Sequence, residues 1–496
     1  MFLYFRMFLI MGVTLYTSRI VLKALGVEDF GLYNVVGGIV TMFSFINHSL
    51  GAATSRYITF ELGKKDYTRL NRIFNVALAA HIVIALIIIL LAETIGLWFF
   101  YEKMEIPESR LNAAFWVYQI SILTSFFAMT QVPYNAVIIA RENMKIFAFI
   151  GIVEVMIKLL IVFLLTYSPI DKLIYYAMLL CTLQISILFF YRYYCIRNYR
   201  ECKLKIYKDR VLFKTIFIYG ASDMIGQMSV LAQGQGLNLL LNVYFGPVVN
   251  AARAIAYQVQ GAVNNFSSNF MTAVKPQIIK SYAEGNLQEM WVLVVQSSCF
   301  SFYLLWMICL PLCLEAETIL ELWLGNYPEH STSFLILILI HCLIQSLKTP
   351  RTTVFHALAK ILASNVTVGL VLCLAFPLAY TFLELGGSPE SVFWAANITI
   401  AASEIVSVLV LKRFLDFSIA KYFLSVHCRC IMVVFVSISI PYILHDRIFE
   451  AGILRLLSTC LISFVSVALT SFYLGMDRNM RMKISKIIKK RINYRR

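Results

Sequence analysis

The sequence predicts an all-α polytopic membrane protein of about fourteen transmembrane helices, and three observations carry that prediction. The chain is 60% hydrophobic and only 14% charged, with a mean hydropathy of +0.76; soluble domains run to about 45–50% apolar and about 25% charged residues. Apolar runs of about 20 residues, the length that crosses a hydrocarbon core, recur along the whole chain. Most of the 43 Lys and Arg fall in alternate connections between those runs, as the positive-inside rule requires. The composition excludes a water-soluble enzyme and a disordered or fibrous chain, and no alternating period-2 segments suggest a porin-type barrel.

Spans 1 to 6 are read near residues 2–22, 33–55, 74–100, 112–135, 146–167 and 172–194. Spans 7 to 12 lie near 214–241, 247–272, 290–314, 332–350, 360–383 and 391–413, and the last pair near 424–444 and 453–475. The first run carries Arg6 and shows no small-residue cleavage pattern before Gly26, so it reads as a retained helix rather than a signal peptide. Its abrupt start predicts a few further residues ahead of Met1. The inner connections hold Arg56, Lys64, Lys65, Arg69 and Arg72, the basic run from Arg192 to Lys214, and the tail from Arg478 to Arg496. Acids such as Glu102, Glu105, Glu108, Glu315 and Glu317 fall outside. Both termini are therefore expected in the cytoplasm of a cell whose inner membrane the chain crosses repeatedly. A pI near 9.3 could point to nucleic acid, but the charge follows topology instead. The tail is expected to anchor on anionic lipid.

A faint internal repeat organises the spans. Sliding by 220 positions brings Leu25-Gly26 onto Phe245-Gly246, Ser55-Arg56 onto Lys275-Pro276, and the stretch from Glu61 to Lys65 close to Tyr282–Asn286. That spacing equals six helices, so the repeats keep the same orientation about an axis along the membrane normal. The expected organisation is a six-helix bundle over 1–194, a basic cytoplasmic linker over 195–213 and a second six-helix bundle over 214–413. An extra helix pair follows over 414–476, then a basic tail over 477–496. Two facing six-helix bundles suit an alternating-access carrier.

No metal or cofactor signature appears. The eleven Cys lie mostly in spans, where Cys behaves as a small hydrophobe, and there is no C-x-x-C, P-loop or H-E-x-x-H. Gly234-Gln235-Gly236 reads as a flexible or close-packed piece of helix. Glu154 and Lys158, at i, i+4, are expected to neutralise each other, and Glu404 is an intramembrane acid with no evident partner.

The informative feature is polarity where lipid should be. Span 7 carries Ser222, Asp223, Gln227, Gln233 and Asn238; span 8 carries Arg253, Gln258, Gln260, Asn264 and Asn265. Their repeat partners are also polar, with Thr17, Ser18 and Arg19 in span 1 and Asn47, His48 and Ser49 in span 2. A charge at a helix centre costs about 2.5–3.5 kcal/mol on insertion scales, so this concentration predicts a shared water-filled cavity; the alternative is interhelical hydrogen-bond glue. Arg19, Arg253 and Arg56 offer forked, charge-assisted bonds to phosphate oxygens. Asp223 would pair with Arg253 or Arg19 and release it when an anionic substrate arrives; the structural alternative is a permanent Asp–Arg pair.

Leu15-Tyr16-Thr17-Ser18-Arg19-Ile20-Val21-Leu22, the turn Leu25-Gly26-Val27-Glu28-Asp29-Phe30-Gly31-Leu32-Tyr33-Asn34 and the following Val35-Val36-Gly37-Gly38-Ile39 resemble bacterial polysaccharide-export flippases. These form the O-antigen flippase-like branch of the multidrug/oligosaccharidyl-lipid/polysaccharide exporter superfamily. The local match covers about the first 70 residues, and the span layout and repeat extend it along the chain. The resemblance implies movement of a polyprenyl-pyrophosphate-linked oligosaccharide from the inner to the outer leaflet, through a cavity built by spans 1, 2, 7 and 8. It also implies basic residues in that cavity, here Arg19, Arg56 and Arg253, with His48, Asp223, Gln227, Asn238, Gln258, Asn264 and Asn265 completing the expected binding set. A membrane potential of 100 mV, inside negative, favours outward movement of two negative charges by about 4–5 kcal/mol. A coupling proton or sodium ion is therefore compatible but not required, and no ATP site is present. A multidrug exporter of the same superfamily would want an acidic cavity. A glycan polymerase or ligase would want larger external loops than the dozen or so residues near 100–112.

Overall fold

The computed structural model describes residues 44–102, 106–165, 167–168, 171–448, 452–477 and 480–482, with isolated positions between 6 and 33; for 44–48, 247, 251 and 446–448 only the backbone is described. Every regular element among the described residues is helical. In chain order the principal helices are α1 Ser44–Lys64, α2 Tyr67–Leu91, α3 Leu111–Ala140, α4 Met144–Leu165, α5 Lys172–Asn198 and α6 Arg210–Ala283, with short helical turns such as Leu97–Glu102 between them. There follow α7 Leu287–Leu314, α8 Ala316–Leu324, α9 Ser331–Ala357, α10 Ile361–Cys373, α11 Ala375–Glu384, α12 Glu390–Lys412, α13 Ile419–Phe423, α14 Arg429–Ile448 and α15 Ile453–Thr470.

Ten stretches among the described residues are long and apolar enough to cross a membrane, and they coincide with spans 3–6 and 9–14. The polar helices α1 and α6 are not among the ten. At 74 residues α6 is far too long for one crossing. It breaks at Gly246, whose φ of 77° is open to glycine and strained for other residues, so spans 7 and 8 are two arms, 210–245 and 247–283. With α1 and these two arms the count is compatible with fourteen; most of span 1 lies outside the described residues.

The chain divides into two compact units, Met1–Gln227 with Pro276–Leu287, and Met228–Lys275 with Gln288–Arg496. In the first, α3 packs on α1, α2 and α5 over a core that includes Ile58, Phe74, Tyr134, Ile138 and Tyr191. Lys158 Nζ bonds Glu154 Oε1 at 2.6 Å, the i, i+4 pair expected from the sequence. The basic segment 199–209 is tied to α2 by two amides. Asn71 Nδ2 donates to the carbonyls of Glu201 and Lys203, at 2.7 and 2.8 Å. Asn75 Nδ2 donates to Lys203 at 3.0 Å, and Asn75 Oδ1 accepts the Lys205 N–H at 3.0 Å. Arg141 adds an ion pair of 2.6 Å to the buried Glu201. Asn75→Ala is expected to loosen this strap and speed tryptic cleavage after Lys203 and Lys205 severalfold; an unchanged cleavage rate would refute the tie.

Asp29, within the stretch that carries the family resemblance, receives Arg110 Nε at 2.8 Å, while Arg110 Nη1 donates to Asp171 Oδ2 at 2.6 Å. Burial alone would push the Asp171 carboxyl up, but Arg110 and the backbone N–H groups of Leu173 and Ile174 outweigh it and hold it below the usual carboxylate range. A carboxyl lowered by folding stabilises the fold above its unfolded pKa of about 3.9, and that contribution is lost as pH falls through the lower folded value. Arg110→Ala is expected to cost about 1.5–3 kcal/mol and to move acid unfolding, followed by circular dichroism, to higher pH.

In the second unit α12 packs on α9, α10 and α11. The α14–α15 pair is joined to α7 and its C-terminal turn. Trp306 Nε1 donates to Ser437 Oγ at 2.8 Å, Tyr303 Oη to the Gly475 carbonyl at 3.0 Å, and Arg455 and Thr459 donate to the buried Glu315 at 3.1 and 2.9 Å. The Gly-Gln-Gly stretch of α6 is partly close-packed: a Cβ on Gly236 would sit 2.8 Å from the Phe376 ring, whereas Gly234 has open space.

Helix ends carry the repeat more clearly than side chains do. α1 closes with Lys65 at φ 60° and α6 with Gly285 at φ 80°, 220 positions on. Matching bonds run from Lys65 N to Leu62 O and from Gly285 N to Tyr282 O, the left-handed close of a helix. α3 and α9 repeat the device at Glu142 (φ 57°) and Ala359 (φ 56°), each nine residues after an internal proline, Pro133 and Pro350.

Candidate functional site

The second unit contains a cavity of 180 Å³. Arg253, Tyr257, Gln260 and Asn264 reach it from the second arm of α6, a spacing of four, three and four that puts them on one helix face. Gln233 and Gly234 line it from the first arm, His341 and Gln345 from α9, and Phe393 and Asn397 from α12. The last two pairs are each i, i+4, so each helix turns two neighbouring side chains inward.

Arg253 joins the two arms of α6. Its Nη1 donates to Asn238 Oδ1 at 3.1 Å and its Nη2 to the Gly234 carbonyl at 2.8 Å. The guanidinium lies over the Tyr257 ring, 3.9 Å from the centroid, a contact worth about 2 kcal/mol when desolvated. Among the described residues no carboxylate pairs with Arg253, and none lines the cavity. Two of five guanidinium N–H donors are used in these bonds, so the cation keeps forked capacity for an anion.

Of the residues expected from the sequence, Arg253 and Asn264 line this cavity and Asn238 braces Arg253. Gln258 and Asn265 are exposed on other faces of the same arm. Asp223 is buried and Gln227 half-buried in the part of α6 that belongs to the first unit. Arg56, also in the first unit, is buried, with its guanidinium 4.5 and 4.6 Å from the Tyr57 and Phe60 ring centroids. Arg19 and the His48 side chain lie outside the described residues. Sequence reasoning missed His341, Gln345 and Asn397; the i, i+4 pairing of His341 with Gln345 in span 10 was the available signal.

It also missed a buried charge network. Arg351 is fully buried in α9. Its Nη2 donates to Glu404 Oε2 at 2.7 Å and its Nη1 to the Tyr422 hydroxyl at 3.0 Å, with His427 Nε2 3.8 Å from Glu404. Glu404 is therefore no lone acid, a correction to the sequence reading: it ties α9 to α12 and to the segment entering α14.

Comparison with known proteins defines the class. The fold matches an outward-facing multidrug resistance MATE family transporter of the MOP superfamily, with TM-score 0.71 and 14% identity over 83% of this chain and 94% of that one. A MATE in the bent conformation gives TM-score 0.72 at 14% identity over 82% and 93%. A MOP-superfamily transporter from Pyrococcus furiosus, described as having a binding pocket of reverse polarity that suggests a different function, gives 0.67 at 14% over 84% and 96%. The chain is thus a multi-pass membrane protein with a MATE-like fold. Residues 3–282 match the model of the polysaccharide biosynthesis protein family, and the chain belongs to that family. It is 23% identical over 325 residues to the uncharacterized membrane protein EpsK of Bacillus subtilis (strain 168), across 64% of this chain. The match spans 63% of that relative's length.

Proposed function

We propose that this membrane protein is a flippase that moves a polyprenyl-pyrophosphate-linked oligosaccharide from the inner to the outer leaflet of the cytoplasmic membrane by alternating access. The observation that carries this reading is Arg253, a cation in a polar cavity lined by no carboxylate among the described residues. An anionic headgroup complements such a site; a cationic drug would meet like charge with nothing to offset it. The guanidinium holds the pyrophosphate, the Asn and Gln amides exchange bonds with sugar hydroxyls, and the lipid tail stays in the bilayer. Membrane potential biases movement outward, and a proton or sodium ion can add to that bias.

A deletion strain is expected to accumulate lipid-linked sugars on the cytoplasmic leaflet, detected by lipid extraction and leaflet-selective labelling; a normal distribution would refute the proposal. On this reading both termini are expected in the cytoplasm. Reporter fusions after Arg210 and after Arg496 should both report that side, and opposite sides would break the even span count between them.

A further inference from the structure

We infer that the cavity of the second unit is a subsite for a single sugar ring bearing a negative group, with Arg253 meeting the acid and His341, Gln345 and Asn397 meeting ring hydroxyls. The inference rests on the flippase reading above and narrows it to one unit of the substrate.

Size sets the first limit. At 180 Å³ the cavity falls below the about 300–1,000 Å³ of clefts that take drug-sized ligands, so it seats about one ring, with any further units outside it. Hydrogen bonding sets the second. Asn397 Oδ1, Gln345 Oε1 and His341 Nδ1 are buried and have no hydrogen-bond partner. The Asn397 amide cannot turn to relieve this, because its Nδ2 donates to the Leu337 carbonyl at 3.1 Å. The Asn397 side chain also interacts with the His341 ring, at a geometry short of a full hydrogen bond. Gln345 Oε1 has no donor at all and Asn397 Oδ1 has only that weak contact, and each buried polar atom left unmatched costs about 1–3 kcal/mol.

Charge sets the third limit. Arg253 sits over the Tyr257 ring and offers donors only. A bare phosphate would satisfy it but would present acceptors to Asn397 and Gln345, and a neutral sugar would leave the cation unmatched. A ring that carries both hydroxyl donors and a negative group answers all of them. The wall is suited to a ring face as well: Tyr257 and Phe393 stand 6.5 Å apart between centroids, and Phe393 packs on Phe334 at 4.3 Å. Water alone is the competing occupant, since it too can match buried polar atoms.

Binding of radiolabelled probes to the purified full-length chain in lipid nanodiscs tests this. The probes are the 1-phosphates of glucose, galactose, N-acetylglucosamine and N-acetylgalactosamine, together with glucuronate, free glucose and inorganic phosphate. At least one anionic sugar is expected to bind ten-fold or more tightly than both inorganic phosphate and glucose. Preference for a 1-phosphate assigns the pocket to the sugar next to the phosphate; preference for glucuronate assigns it to an acidic sugar within the chain. Gln345→Met, which keeps volume, and Asn397→Leu should each remove about ten-fold of the sugar-phosphate affinity while leaving inorganic phosphate unchanged. Folding of both is checked by gel filtration, and Gln345→Met carries the test should Asn397→Leu misfold. If no anionic sugar exceeds inorganic phosphate, or if well-folded Gln345→Met binds as the parent does, the cavity holds water and the inference falls. Normal leaflet distribution in the deletion strain alongside selective sugar binding would instead sink the flippase reading and leave the subsite standing.

Discussion

Arg253→Ala is expected to abolish glycan export while the protein stays in the membrane near its normal level. The loss of two hydrogen bonds to Asn238 and Gly234 should cost about 1–3 kcal/mol of stability, too little to empty the membrane of the protein. Arg253→Lys should keep part of the transport, because the charge survives while the fork and the stacking on Tyr257 are lost. Asn238→Leu separates the two roles of the guanidinium, removing the brace and leaving the charge; export should persist at half the parental rate or better. Were Asp223 instead its permanent structural counterpart, Arg253→Ala would lower abundance by stranding an acid. Adding Asp223→Ala would then restore both abundance and transport. Export and membrane level in these four variants distinguish the outcomes, and a fully active Arg253→Ala removes the residue from the mechanism.

Arg351→Ala should act through folding, with the opposite signature. It leaves Glu404, 3% exposed, without its closest partner, with only His427 at 3.8 Å and the more distant Lys348 charge to offset it. Breaking one side of such a pair costs about 3–5 kcal/mol, a large share of the 5–15 kcal/mol that holds a domain together. Membrane abundance and thermal midpoint in detergent should both drop sharply, with export falling only in proportion to the protein that remains. Arg351→Met combined with Glu404→Leu removes both charges and should recover most of the abundance, because well-packed apolar pairs replace buried ion pairs at little cost. Normal abundance of Arg351→Ala would show that Glu404 does not need its partner.

The two experiments probe residues of one helical unit that the sequence presents very differently. Arg253 stood out because it falls in the middle of an otherwise uncharged stretch from Val243 to Val274. Arg351 did not, because it follows Lys348 and precedes Lys360 and reads as one more basic residue at an inner boundary. Its partner in the ion pair is 53 residues away, with no motif linking them. Separations of 81 and 61 residues likewise hid the joint of Arg110 with Asp29 and Asp171: the stretch around Asp29 was legible as a family resemblance, while the work its carboxylate does was not.

What the sequence determined by itself is what depends on local composition: the helical membrane class, the ten apolar spans that the structure also contains, the break at Gly246 and the unusual polarity of α1 and α6. Lipid sets those properties residue by residue, because a run either can or cannot be transferred into hydrocarbon. Only the tertiary structure decided which polar side chains share a cavity. A helix apolar on one side reveals its orientation through its periodicity, but the arms of α6 are polar on several faces. Gln258 and Asn265 are exposed there while Arg253 and Asn264 line the cavity. Rotation of each helix about its own axis brought His341, Gln345 and Asn397 to face Arg253, and packing between segments some 90 to 150 positions apart in the chain set that rotation.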